Sequence, residues 1–160
     1  MKIRESIYFL GEIAAIIFVV GIVVFYGTKN KISDVKNVEK TELTMKNMRE
    51  IRIALEKYYQ LTGKYPDLIR EGANDNLRIL DHSDSQGKKI SFADIYGKER
   101  LASTPETEGI AESNKVYDVQ NFKKGNLKGG WNLNYGGNSG EIHANLPKNA
   151  YNQNIDWEDE

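Results

Sequence analysis

Glu12 is the residue of this sequence whose surroundings are the least favourable for its charge. It is the only charged side chain between Ser6 and Thr28, in the run SIYFLGEIAAIIFVVGIVVFYGT. A charged group near the centre of a bilayer costs about 2.5–3.5 kcal/mol, so a carboxylate in such a segment is expected to serve a function. Two interpretations fit. Glu12 pairs with a cation, or it lies near the lipid headgroups at a helix N-terminus, where negative charge is favoured.

Two other acidic stretches offer oxygen ligands of the kind that calcium uses. The C-terminal run NIDWEDE contains Asp156, Glu158 and Asp159, and the stretch LDHSDSQG contains Asp81 and Asp84. An acidic chain end is usually only a solvated tail, and LDHSDSQG lacks the alternating acids of an EF-hand. A solvated turn is therefore the main prediction for LDHSDSQG, with calcium as the alternative there. A solvated tail is the main prediction for the C-terminal run.

Other catalytic or nucleic-acid-binding signals are missing from the sequence. It contains no cysteine, no H-E-x-x-H, no G-x-S-x-G and no glycine-rich phosphate loop. His82 in a predicted loop and His143 on a predicted strand are expected to be solvated side chains rather than a shared metal site. The formal net charge of −1 does not favour nucleic acid. The chain is therefore predicted to be no enzyme, with no cofactor apart from the calcium alternative.

A long N-terminal helix with two different halves is predicted to position Glu12. After a leader-like segment, residues 1–7, residues 8–28 are long and apolar enough to cross a hydrocarbon core of about 30 Å. Residues 29–63 are predicted as an amphipathic half that ends at Gly63, before Pro66. Its apolar residues recur mostly three or four positions apart, which predicts one stripe that packs on a domain: Ile32, Val35, Val38, Met45, Met48, Ile51, Leu55 and Tyr58.

Residues 64–160 are predicted to form a small head. The polar region 67–114 is predicted as loop, with a short helix that begins at Ser91 and ends near Gly97. The stretches KVYDVQNF, GGWNLNY and EIHANL favour three short antiparallel strands, the last two in a hairpin over residues 129–146. Trp157 is expected to dock on the head or on a neighbour. The predicted fold class is α+β, with the long helix packed on a small antiparallel sheet.

The order of these features resembles that of the type IV pilin and type II secretion pseudopilin family. A short basic leader precedes an apolar helix with Glu12 near its start, and Gly21 follows nine residues later. The stretches ALEKYYQLTGKYPDL and GGWNLNYGGNSGEIHANLP are similar to the family's helix end and closing hairpin. The resemblance covers about residues 1–68 and 129–147. In one respect the chain departs from the family, because Ile7, before Tyr8, stands where the family's leader ends in glycine.

The resemblance implies a structural subunit of a pilus-type or pseudopilus-type filament. Glu12 would pair with the free amine of a neighbouring subunit, Gly21 would lie in the helix that subunits pack together, and a prepilin peptidase would cleave between Ile7 and Tyr8. The expected partners are pilin-like subunits of the same or another kind, the membrane and the filament assembly machinery. Some major pseudopilins bind calcium near the C-terminus, so the resemblance implies calcium at Asp156, Glu158 and Asp159 as the alternative to a solvated tail.

The same resemblance implies a single-pass protein of the inner (cytoplasmic) membrane. Its head would lie outside the cytoplasm, and assembly would transfer it to a periplasmic or cell-surface filament. The competing prediction is a membrane-anchored binding or adhesion domain that never polymerises. Glu12 distinguishes the two, because an isolated anchor has no use for a buried carboxylate.

Overall fold

The computed structural model has an α+β fold with one long helix and small sheets, which confirms the α+β class of the prediction. It describes the backbone of residues 2–84 and 86–160 and the side chains of residues 18, 27, 31–84 and 86–160. The elements are α1 (Lys2–Thr62), β1 (His82–Ser83), β2 (Lys89–Ile90), α2 (Phe92–Tyr96), β3 (Val116–Asp118), β4 (Trp131–Leu133) and β5 (Ile142–Ala144). The 3-10 helices Leu77–Leu80 and Phe122–Lys124 lie between them.

The chain divides into two compact units, Met1–Asn37 and Val38–Glu160. The first unit lies within α1 apart from its first residue, and its described large apolar side chains, Phe18, Ile32 and Val35, are exposed. Within the part of the chain that the structure describes, no helix reaches the length and apolar character needed to cross a bilayer. Nearly all side chains of the predicted transmembrane half, residues 8–28, lie outside the described residues.

Helix α1 ends where the sequence predicts, but its apolar residues do not form one buried stripe. The helix stops at Thr62, and Gly63 follows with a φ of 70° and donates to the Tyr59 carbonyl at 2.7 Å. The later members of the predicted stripe are buried: Met48, Ile51, Leu55 and Tyr58. The earlier members Ile32, Val35 and Val38 are exposed, so the prediction is wrong for them. A step of three residues falls about 60° short of a full turn, and repeated steps move the side chains off the buried side.

The three-stranded sheet has the order β3-β4-β5 and is mixed, so the prediction of a fully antiparallel sheet is wrong. Strands β4 and β5 pair antiparallel with Trp131 opposite Ala144, which confirms the predicted hairpin. Strand β3 pairs parallel to β4, with Val116 opposite Trp131. Parallel neighbours need a crossover connection of about a dozen residues. Residues 119–130, which include the 3-10 helix Phe122–Lys124, supply that crossover.

The region predicted as loop, residues 67–114, contains more regular structure than expected. The predicted short helix is confirmed as α2, because Ser91 caps its first turn and Gly97 ends it in the left-handed conformation. Strands β1 and β2 form a separate antiparallel pair, with His82 opposite Ile90. His82 therefore lies on a strand and is half-buried, which corrects its prediction as a solvated loop residue.

The core of the second unit joins α1, the three-stranded sheet and the C-terminal segment. Its largest fully buried side chains are Trp131, Trp157, Tyr151, Phe92, Ile51, Leu55, Leu68, Leu77, Leu133, Ile142, Leu146 and Asn145. Side chains alternate along a strand, so Asn132 and His143 face the side of the sheet opposite to Trp131 and Leu133. Phe122 lies against His143 there, with ring centroids 4.1 Å apart and the ring planes tilted by 37°. This cover explains why His143 is only 6% exposed, against the prediction of a solvated side chain.

Candidate functional site

The N-terminal residues singled out by the sequence lie outside the side chains that the structure describes. These residues are Ile7, Tyr8, Glu12 and Gly21. Their proposed roles in cleavage and assembly therefore stay predictions. The geometry that bears on function comes from the unit Val38–Glu160.

The acidic C-terminal run is folded against the head. Trp157 is 1% exposed, and its ring meets that of Tyr151 edge to face, with centroids 5.9 Å apart. Asp156 accepts a hydrogen bond from Lys148 Nζ at 3.0 Å, and this bond holds the carboxyl pKa below its ordinary value. The prediction that Trp157 docks is confirmed. Lys148 already neutralises one of the three acidic residues proposed for calcium.

The aspartates of LDHSDSQG stabilise the β1–β2 hairpin. Asp84 Oδ1 accepts hydrogen bonds from the backbone N–H groups of Gln86 and Lys88, both at 2.9 Å, and this confirms the predicted turn. Asp81 pairs with Lys89 at 2.9 Å. Burial raises the pKa of Asp81, but hydrogen bonds and the nearby cations outweigh it and hold the pKa below its ordinary value. Among the described residues, no three His, Asp or Glu side chains converge to hold a metal ion.

A polar cavity of about 230 Å³ lies beside the end of α1. Its wall includes Tyr58, Asp67, Asp81, His82 and Tyr135. The Tyr58 hydroxyl and His82 Nδ1 are 3.2 Å apart. Burial, together with nearby aspartates, raises the pKa of Tyr58 and of Tyr135, so both phenols keep their protons at neutral pH. These phenols are hydrogen-bonding groups and not activated nucleophiles.

Helix α1 also carries an apolar surface that the head does not cover. Leu43, Ile53 and Leu61 are 46%, 49% and 59% exposed. At 3.6 residues per turn, they share one side of the helix with three charged residues, at positions 46, 50 and 57. We call this set the outer stripe: Leu43, Lys46, Glu50, Ile53, Lys57 and Leu61.

The outer stripe is held in place by the buried side of the same helix. Each residue of an α-helix is rotated by about 100° from the one before it, and this places the outer stripe about 120° around the helix axis from the core residues of α1. Glu50 is fixed within it, because its carboxylate accepts a hydrogen bond from Lys98 Nζ at 2.6 Å. That bond lowers the pKa of Glu50 and raises that of Lys98. The stripe therefore presents aliphatic groups between charges of both signs, an arrangement suited to contact with another helix.

The outer stripe is the surface that the sequence interpretation missed. The apolar residues considered in the amphipathic half, residues 29–63, were all assigned to the core stripe, and Leu43, Ile53 and Leu61 were left out of the pattern. Their common side follows from helical periodicity alone, so the signal was present. In comparisons with known proteins, no family model, no curated protein and no solved structure matches this chain.

Proposed function

We propose that the protein is a structural subunit of a pilus-type or pseudopilus-type filament, held in the inner membrane by residues 8–28 before assembly. The observation that carries the proposal is the outer stripe of α1. A helix that only anchored and supported the head would need one apolar side, whereas α1 has a second one facing solvent. The head is expected to remain outside the cytoplasm, and the chain is expected to have no catalytic role.

Neighbouring subunits would cover the outer stripe in the filament. Full burial of a leucine or isoleucine stabilises by about 1.5–3 kcal/mol, so covering each half-exposed side chain would contribute about 1 kcal/mol. Lys46 and Lys57 would meet acidic groups of the neighbour and so help to set the register. Such contacts repeat with every added subunit, because a head-to-tail interface that does not close forms an open helical array.

Glu12 would supply the remaining specificity inside the membrane. A carboxylate in hydrocarbon is costly when it is unpaired and far less so when it faces an ammonium group. Its proposed partner is the free amine of a neighbouring subunit, which requires cleavage between Ile7 and Tyr8. The intact mass of the protein from its native membrane tests this step. A chain that starts at Tyr8 supports the pairing, and a chain that starts at Met1 removes the amine.

Cysteine crosslinking tests the filament itself, because the chain has no cysteine of its own. The variants Leu43→Cys and Leu61→Cys place thiols on the outer stripe. Glu56→Cys is the matched control, since Glu56 is exposed on the same helix but on another side. In cells that make the protein, a bismaleimide should link the two stripe variants into multimers and leave the control largely monomeric. Equal crosslinking of all three variants, or of none, would contradict the proposal.

The second candidate is a membrane-anchored binding domain that does not polymerise. The polar cavity of about 230 Å³ beside the end of α1, whose wall includes Tyr58, His82 and Tyr135, favours it. The two candidates differ in their response to Glu12→Ala. This change should abolish the multimers of the stripe variants if the protein forms filaments, and it should have no effect on an isolated anchor.

A further inference from the structure

Leu127 is unusual among the exposed residues of the head. It lies near the end of the crossover 119–130, it is 40% exposed, and its φ of 56° is in the left-handed region. That region is unfavourable for a bulky side chain, whereas glycine or asparagine adopts it at lower cost. Leu127 also belongs neither to the buried core nor to the side chains packed against that core. The stability of the head therefore does not explain a leucine at this position.

Asn145 holds Leu127 in this conformation. The Asn145 side chain is fully buried, and its Oδ1 accepts a hydrogen bond from the Leu127 backbone N–H at 2.9 Å. Its Nδ2 donates to the carbonyl oxygen of Gly129 at 3.0 Å and to Asn126 Oδ1 at 2.6 Å. These hydrogen bonds fix the backbone on both sides of Leu127. A partner would therefore meet a leucine that is already in place, which lowers the entropy cost of binding.

An acidic turn lies against the same part of the crossover. Two backbone hydrogen bonds between Thr107 and Ile110 close this turn. Gly129 packs on it so closely that a Cβ atom there would lie 3.1 Å from the Ile110 side chain and 3.1 Å from the Ala111 carbonyl oxygen. Ile110 is half-buried and Ala111 is exposed. These two apolar side chains and Leu127 therefore belong to one region of the surface.

The crossover and the turn carry opposite charges. Lys124 and Lys128 lie on either side of Leu127 in the sequence, and the crossover contains no acidic residue. Glu108 and Glu112 belong to the turn, and all four charged residues are exposed. Among the residues that the structure describes, none of these four side chains forms an ion pair. We call this surface the tip patch: Glu108, Ile110, Ala111, Glu112, Lys124, Leu127 and Lys128.

The tip patch is complementary to a second copy of itself. When two copies meet about a two-fold axis, the same patch of each is buried, and the lysines of one copy face the carboxylates of the other. The apolar side chains of both copies are brought together in the same contact. A wholly anionic partner, such as a lipid surface, would be repelled by the two glutamates. A second copy of this chain is therefore the better fit.

We propose that the tip patch joins two copies of this chain in a symmetric pair, with the lysines of each copy against the glutamates of the other and Leu127 at the centre. The patch is small, so the contact is weak in solution and depends on a high local concentration. The pair rests on the proposed anchoring by residues 8–28, which confines the chains to one membrane. It does not rest on the outer stripe, because the two surfaces share no residue. A two-fold contact closes after two copies, whereas the outer stripe would build an open array.

Disulfide crosslinking of single-cysteine variants tests the pair in membranes isolated from cells that make the full chain. Leu127→Cys places a thiol at the proposed centre of the contact. Gln86→Cys is the matched control, because Gln86 is exposed in the turn of the β1–β2 hairpin. Under mild oxidation, Leu127→Cys should form dimers and nothing larger, and the control should stay monomeric.

Charge reversal in the Leu127→Cys chain tests which residues pair. Lys124→Glu with Lys128→Glu should lower the dimer yield about tenfold or more, because like charges replace exposed ion pairs on both sides of the axis. Glu108→Lys with Glu112→Lys should do the same. The two reversed chains made in one cell should crosslink to each other, since one then carries only carboxylates in the patch and the other only lysines. Their crosslinking would also show that both variants fold.

The proposal is overturned if Leu127→Cys yields no more dimer than Gln86→Cys. It is also overturned if charge reversal leaves the yield unchanged, or if the two reversed chains together do not crosslink. A loss caused by the lysine changes but not by the glutamate changes would assign the crossover to an anionic partner, such as the lipid surface, and would contradict the pair as well. The filament is tested separately, because Leu43→Cys multimers without Leu127→Cys dimers would contradict the pair alone.

Discussion

Replacing Trp157 with alanine is expected to destabilise the head strongly, although this residue lies close to the C-terminus. The side chain is 1% exposed and packs against Tyr151. Truncating a buried tryptophan to alanine costs about 3–5 kcal/mol, from lost apolar burial and the cavity that remains. Domains of this size are stable by only about 5–15 kcal/mol. Trp157→Ala should therefore remove a large share of the free energy of unfolding.

Trp157→Phe separates packing from hydrogen bonding at the same position. The indole Nε1 is buried without a partner, and an unpaired buried donor costs about 1–3 kcal/mol. Phenylalanine keeps an aromatic ring near Tyr151 and has no such donor. The lost volume and the removed donor oppose each other, so the free energy of unfolding should change by less than about 1 kcal/mol.

Equilibrium urea unfolding of the full chain in detergent measures both variants. Trp131, fully buried and the other of the two tryptophans, serves as the fluorescence probe. Asp159→Asn is the control, because Asp159 is exposed in the same tail and should leave the midpoint unchanged. If Trp157→Ala unfolds at the control midpoint, the tail is not packed as described. A Trp157→Phe variant as unstable as Trp157→Ala would show that the indole N–H has a partner.

Three further predictions concern the head. Gly140→Ala should lower the free energy of unfolding by about 1–3 kcal/mol or more, because φ is +64° and the new Cβ would lie close to the Tyr65 ring. Gly87 has a similar φ of +78° but open space around it, so Gly87→Ala in the same urea assay measures the part of the loss that comes from backbone strain alone. The pKa of Asp81 is lowered in the folded chain, so its carboxylate stabilises the fold above the ordinary pKa of about 3.9, and this stabilisation is lost as pH falls through the folded pKa. In Asp81→Asn the free energy of unfolding should therefore fall less steeply as the pH is lowered through this range. Arg52→Met should lower the melting temperature, because Arg52 donates a hydrogen bond to the carbonyl oxygen of Ile142 in β5 at 2.8 Å. An unchanged melting temperature would mean that this hydrogen bond does not contribute to stability.

Local signals in the sequence predicted the local elements well. Ser91 and Gly97 bound α2 because an N-cap acceptor and a left-handed C-terminal glycine act within one turn of the chain. Gly63 ends α1 for the same reason. The β4–β5 hairpin also follows from a short turn between two alternating segments. Each of these features depends on residues that are close in sequence.

Features that depend on distant residues could not be predicted in the same way. The parallel pairing of β3 requires that the crossover 119–130 lie over the sheet, and no short motif encodes that path. The same crossover buries Asn132 and His143, two polar residues at strand positions that the alternating pattern predicts as exposed. The burial of these two residues was therefore not predictable from the pattern, whereas the outer stripe of α1 was.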